Sequence, residues 1–131
     1  MSKAISKKKR LIIHEKYKGK CAYCGLKIEY KKMHVDHIVP IYRGSTNADL
    51  EWYGKVKGTN KIENLNPSCP SCNISKSTFT LEEWRNELVL KIDRLREMVT
   101  NFRLVENHGL IKVAKKPVIF YFEKEVNHGR K

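Results

Sequence analysis

Two short stretches decide how this chain must fold: Cys21-Ala22-Tyr23-Cys24-Gly25 and Cys69-Pro70-Ser71-Cys72-Asn73-Ile74-Ser75-Lys76. All four cysteines fall in these two Cys-x-x-Cys pairs, with 44 residues between the pairs. Two thiolates at that spacing grip one ion from a single tight turn, and two such turns complete a tetrahedral Zn2+ site. Gly25 supplies the positive φ that folds the first turn back over the metal. The second pair opens a helix, whose leading N–H groups and dipole favour thiolate over thiol. Disulfides need an oxidising compartment, and the basic N-terminus is not followed by the apolar run of an export signal. The pattern predicts a structural zinc on Cys21, Cys24, Cys69 and Cys72. It is a split site that clamps two segments and stands in for part of a thin core.

Between the clamped pairs lies Met33-His34-Val35-Asp36-His37-Ile38-Val39-Pro40, rich in β-branched residues and ended by proline, which suits a short strand. Ile62-Glu63-Asn64-Leu65-Asn66-Pro67 suits a second strand, and a short helix is expected from Cys69 to about Thr78. The clamp brings that helix back against the first strand, where Asp36 and Asn73 could offer two oxygens to one hard cation. An imidazole such as His37, with an ordinary pKa near ~6.5, takes a proton from water at neutral pH. Lys76, three residues after Asn73, shares its helix face and reaches towards a phosphate. His34, two residues before Asp36, shares its strand face and is a candidate phosphate or metal-shell contact, or else a surface polar group.

In order and spacing, Asp36-His37-Ile38, Asn64-Leu65 and Cys69-x-x-Cys72-Asn73-x-x-Lys76 resemble the HNH nuclease motif on a ββα-metal core, in its four-cysteine zinc-bearing form with Asn as the last motif residue. The resemblance covers about residues 21 to 77. It implies an α+β, treble-clef-like core. Asp36 and Asn73 would hold one catalytic divalent ion, Mg2+ or another, His37 would be the general base, and Asn64 would pin the loop that aims His37. Cleavage would leave a 5′-phosphate and a 3′-hydroxyl. The family's Gly-Gly after the proline falls on Gly44-Ser45, within a long connector that also carries Trp52 and Tyr53. These aromatics either stack on bases or pack the loop down.

The remaining sequence frames this core. The chain has 131 residues, a length that suits one domain: a basic arm at 1–20, the core at 21–78 and an extension at 79–131. Lys and Arg number 27 against 14 Asp and Glu, a net charge of +13, which favours a polyanionic partner. Residues 1–20 carry eight of the cations and one acid, so Lys7, Lys8, Lys9 and Arg10 form a basic helix expected to neutralise phosphates. Residues 44–61 read as an irregular loop. Thr80 and Glu83 form a capping box, and Trp84, Leu88, Ile92, Leu95, Val99 and Phe102 make one apolar stripe along a helix near 80–105, suited to the core or to a partner. Leu110–Val113 and Val118–Phe122 flank Pro117 as an expected C-terminal β-hairpin.

With no stretch long enough to span a bilayer and no export signal, an intracellular, bacterial or phage-type setting is expected. The leading function is a metal-dependent endonuclease on double-stranded DNA, ahead of RNA, with a homodimer as one route to double-strand cuts. The alternative is a non-catalytic zinc-stabilised nucleic-acid-binding module, which would need no Asp36, His37 and Asn73 together.

Overall fold

In the computed structural model the described residues are 5–128, with side chains described up to Lys124; Met1 to Ala4, including Lys3 of the basic arm, lie outside them. The first helix, α1 (Lys7–Glu15), starts where the Ser6 hydroxyl accepts from the Lys9 N–H, one of the donors that a helix start leaves unpaired. Its apolar face is narrow: Ile13 is fully buried, while Leu11 and Ile12 stay about half exposed. Polar ties do the rest. The Arg10 guanidinium donates to the carbonyls of Tyr30 (3.1 Å) and Met33 (3.0 Å), and His14 Nε2 lies 2.8 Å from the Ile28 carbonyl. Lys16 Nζ donates to the Ile62 and Leu65 carbonyls and to Asn66 Oδ1. The arm expected to serve phosphates is therefore partly a structural strut. Arg10 and Lys16 spend their charge on backbone oxygens, and Lys9 donates to the Asn60 carbonyl.

Two strands, β1 (His34–His37) and β2 (Leu65–Ser68), pair antiparallel, with Asp36 opposite Asn66 and His37 opposite Leu65. Every residue of β2 is buried, sandwiched between α1, β1 and the turn at Cys21, whose neighbour Ala22 donates its N–H to the Pro67 carbonyl at 2.8 Å. The chain then enters α3 (Pro70–Lys76), with Pro70 in the first turn, where its missing N–H costs nothing, and Cys69 Sγ accepting from the Cys72 N–H. The connector between the strands is not wholly irregular. It holds α2 (Asn47–Trp52), started by a Thr46/Asp49 capping box and seated on Leu50.

The Thr80/Glu83 capping box forms as the sequence predicts and starts α4 (Leu81–Met98). The helix expected to run to about 105 instead breaks at Val99, and α5 (Thr100–Asn107) follows. Arg103 explains the break, because its guanidinium caps the last carbonyls of α4, at Arg96 and Glu97, and Arg96 pairs with Glu106 at 2.8 Å. Only the start of the apolar stripe is core: Trp84 is buried and Leu88 packs beside it, whereas Leu95 and Val99 are well exposed.

The expected C-terminal hairpin does not form. Residues 110–120 contain no strand, and α6 (Tyr121–His128) follows. Leu110 and Ile111 have no buried face to join. The second half of the supposed hairpin is claimed by the core. The Phe120 ring stacks on Trp84 (4.8 Å, 11°), and the N–H groups of Tyr121 and Phe122 bond to the carbonyls of Tyr23 and Ala22. Arg85 locks the segment by donating to the Val118 carbonyl and to both carboxylate oxygens of Glu123. The resulting core joins Ile13, Cys21, Tyr23, Ile28, Met33, Leu65, Trp84 and Phe120.

Candidate active site and metal centre

The two cysteine turns meet. The Sγ atoms of Cys21, Cys24, Cys69 and Cys72 all lie within 4.8 Å of one another, and those of Cys24 and Cys69 are 3.9 Å apart. A tetrahedral zinc with Zn–S bonds of ~2.3 Å spaces its sulfurs by about 3.8 Å, so this donor set fits the ion. Gly25 adopts φ +78°, and its N–H returns to the Cys21 carbonyl to close the first turn. The N–H groups of Tyr23 and Cys69 both point at Cys21 Sγ. The hydrogen bond with Cys72, set against burial, holds the Cys21 thiol down to about 4. Burial pushes Cys24 up to about 11, and the hydrogen bond to Cys21 pushes Cys72 above the usual thiol range. Four thiolates at these distances need a cation to offset their repulsion.

At the end of β1, adjacent side chains face opposite ways, as strand geometry requires. Asp36 points inward and is 6% exposed. Tyr23 Oη donates to its Oδ2, and Lys76 Nζ lies 3.1 Å from Oδ2 and 3.4 Å from Oδ1. Burial pushes the Asp36 carboxyl above its ordinary range, and the Lys76 ammonium pulls it back. Burial, reinforced by the Asp36 charge, pushes the Tyr23 phenol far above its own. Half-buried His37 turns the other way, with Nε2 2.7 Å from Asn60 Oδ1.

The strand ends at His37 because Asn64 captures the chain beyond it. Its backbone carbonyl accepts from the Ile38 N–H, its side-chain oxygen accepts from the Val39 N–H (2.8 Å), and its amide donates to the carbonyls of Val39 and Thr59. That exit lets Asp36 and His37 line one open cleft of about 520 Å3 together with His34 and Asn73. Asn73 makes no side-chain hydrogen bond among the described residues, so its amide oxygen is free for a ligand. Free oxygen on Asn73 and the less tightly bonded Oδ1 of Asp36, on the wall of one cleft, are a donor set that fits a hard divalent ion.

Other predicted residues land elsewhere. Lys76 is completely buried and donates to the His37 carbonyl (2.9 Å) as well as to Asp36, so it cannot reach a phosphate. Lys7, Lys8 and His34 are exposed, whereas Arg10 is half-buried in its two carbonyl bonds. Trp52 and Tyr53 are 85% and 73% exposed, so they do not pack the connector down. The close backbone approach in the connector is at Gly58 and not at Gly44: a Cβ on Gly58 would sit 1.8 Å from the Val39 carbonyl oxygen, while one on Gly44 would meet nothing within 4 Å. Sequence reasoning missed Tyr23, Gly58 and Asn60. Only the last two had a signal, a Gly-Thr-Asn turn just before Asn64.

Residues 21–79 match the family model described as HNH endonuclease. One curated relative is "SPbeta prophage-derived putative HNH endonuclease YoqL" of Bacillus subtilis (strain 168). It is 42% identical over 72 residues, which cover 53% of this chain and 28% of that protein, so the chain spans less than a third of the relative. Among solved structures, the Type II-C Cas9 enzyme from Actinomyces naeslundii is similar at 23% identity and a TM-score of 0.49, over 89% of this chain and 14% of that one. No helix among the described residues is long and apolar enough to cross a membrane.

Structural zinc contributes on the order of 10 kcal/mol to small folds, comparable with the ~5–15 kcal/mol total stability of a domain. Purified protein should contain one zinc per chain by elemental analysis. Chelation should abolish the near-ultraviolet circular dichroism of the Tyr23–Trp84–Phe120 cluster, which abuts the first cysteine turn. An unchanged spectrum and melting temperature in metal-free protein would show that the cysteines do not hold the fold.

Proposed function

From the match of residues 21–79 to the HNH endonuclease family model, we propose that the chain is a metal-dependent endonuclease that hydrolyses DNA phosphodiester bonds. The observation that carries this reading is the convergence on one open cleft of Asp36 and His37 from the end of β1 with Asn73 from α3. In this reading His37 removes a proton from an attacking water. Asn64 anchors the residues after His37 and keeps the base at the cleft wall. Asp36 and Asn73 are the residues that would hold a divalent ion. Such an ion, Mg2+ in the first instance, supplies Lewis-acid stabilisation of the charge that builds on the phosphoryl and leaving oxygens. Lys76 keeps Asp36 aligned from behind and offsets part of its charge. The ends are a 5′-phosphate and a 3′-hydroxyl.

Duplex DNA suits the surface. Lys7 and Lys8 are exposed on α1, and Arg43 and Lys57 line a second cleft that shares Ile41 to Arg43 and Ser45 with the first. Cations so placed neutralise phosphates on either side of the bond to be cut. Trp52 and Tyr53, exposed on the connector that borders both clefts, offer rings on which bases stack.

Supercoiled plasmid incubated with zinc-loaded protein should be nicked or cut when Mg2+ or Mn2+ is added and left intact without it. His37→Ala should lower the rate about 1,000-fold with zinc content unchanged. Persistent cleavage by His37→Ala would reject the assigned base. DNA binding with no cleavage in any divalent ion would favour the alternative, a non-catalytic zinc module.

Binding has its own probe. Trp84 is 2% exposed, so Trp52 is the tryptophan whose emission reads the surface. A duplex added without divalent ion should quench that emission, and Trp52→Ala should weaken binding roughly 10-fold, about what one stacked base contributes. Unaltered emission at saturating DNA would place the stacking surface elsewhere.

A further inference from the structure

Asn60 has no part in the motif read from the sequence, yet its side chain is the hydrogen-bond partner of the His37 ring, at 2.7 Å from Nε2. An amide oxygen only accepts, so the ring nitrogen that faces it must carry the hydrogen. A neutral imidazole has one N–H; with that hydrogen on Nε2, the lone pair that can take a proton lies on Nδ1. We propose that Asn60 is the positioning residue that fixes His37 as its Nε2–H tautomer and so makes Nδ1 the atom that accepts the proton from water. The proposal rests on the nuclease reading of the same cleft and names the atom at which its proton step occurs.

The residues around Asn60 are built to hold it there. The Gly58 N–H bonds to the Pro40 carbonyl (2.8 Å), and the missing Gly58 side chain lets this strand of the connector press on the Val39 carbonyl. The Asn64 amide ties the Thr59 carbonyl (2.8 Å) to the same residue, Val39, that it brackets by backbone bonds. Residues 58–60 and 37–40 are thus one stem, and Asn60 and His37 are fixed relative to each other at both ends. From outside, Lys9 on α1 donates to the Asn60 carbonyl, so the helix read as a phosphate-binding arm also steadies the partner of the base. Without an acceptor at this position the ring is free to exchange tautomers and to rotate, and only part of the population presents a basic nitrogen to the cleft.

The step balances as follows. An O–H bond of water breaks and its proton passes to His37 Nδ1, while the oxygen forms a bond to phosphorus. The bond from phosphorus to the 3′ oxygen breaks, and that oxygen leaves with the electron pair and is protonated from solvent. Nε2 keeps its hydrogen throughout, and Asn60 Oδ1 stabilises the imidazolium that forms.

The test is long-range 1H–15N correlation NMR of 15N-histidine-labelled, zinc-loaded protein in mildly alkaline buffer, with His37 assigned by its loss in His37→Ala. Wild-type His37 should show the hydrogen on Nε2. Asn60→Ala should give mixed tautomers and a kcat for plasmid nicking lower by about 10- to 100-fold, with KM for DNA within about 2-fold. Asn60→Asp, which keeps an acceptor, should restore both the tautomer and most of kcat. A wild-type His37 with its hydrogen on Nδ1 would overturn the proposal without reference to any variant. So would an Asn60→Ala protein with unchanged kcat. Absence of cleavage by the wild type would instead reject the nuclease reading, while the wild-type tautomer would still decide the His37–Asn60 contact.

Discussion

A buried ammonium organises the site. Lys76 Nζ has no exposure and meets both oxygens of Asp36 and the carbonyl of His37. An isolated ammonium in that position would cost several kcal/mol of lost hydration, and removing one partner of a buried pair typically costs about 3–5 kcal/mol. The fold therefore keeps α3, which carries Lys76 and Asn73, in register with the last two residues of β1. That register brings Asp36 and Asn73 to the lining of one cleft. It also divides the Asp36 carboxylate: Oδ2 is engaged by Tyr23 and Lys76, and Oδ1 is held only by the longer Lys76 contact. Because Lys76 offsets the charge of Asp36, an ion held there, as the nuclease reading proposes, would depend on Asn73 and on a substrate phosphate for the rest of its hold.

The cysteine cluster supports the same register from outside. It joins the turn before β1 to the start of α3 across 44 intervening residues, and Tyr23, between the first two cysteines, carries that constraint to Asp36 through its hydroxyl. The ring of Tyr23 simultaneously packs edge-on against Trp84 and Phe120. Cysteine cluster, aromatic core and carboxylate are linked through one residue.

What the sequence disclosed were features whose meaning is local. The paired cysteines and the Thr80/Glu83 box depend on spacing along a few residues, and both form as expected; Asn64 is seen bonded to the backbone just beyond His37. What it concealed depends on distant partners. Helical spacing set Lys76 on the face of Asn73 but carries no information about depth, and Lys76 proved to be core. The continuous run of β-branched and aromatic residues at 118–122 fits a strand equally well, and contacts with Tyr23 and Ala22, nearly a hundred residues away, claimed it for an aromatic cluster instead. Gly58 outweighs Gly44 only because Val39 presses against it, and Asn60 matters only because His37, 23 residues earlier, turns its ring that way. The chain break at Val99 likewise follows from Arg103 reaching back to α4.

Cleavage by the proposed route requires an ion and a scissile phosphate to meet in the cleft between β1 and α3. The most direct measurement is the anomalous scattering of Mn2+ in crystals of zinc-loaded His37→Ala protein with duplex DNA, a variant chosen to leave the bond uncut. The expected result is a Mn2+ peak in contact with an Asp36 carboxylate oxygen, the Asn73 amide oxygen and a DNA phosphate oxygen, with Lys76 still paired to Asp36. A phosphate seated in the cleft with Mn2+ held by other residues, or with none between Asp36 and Asn73, would contradict it.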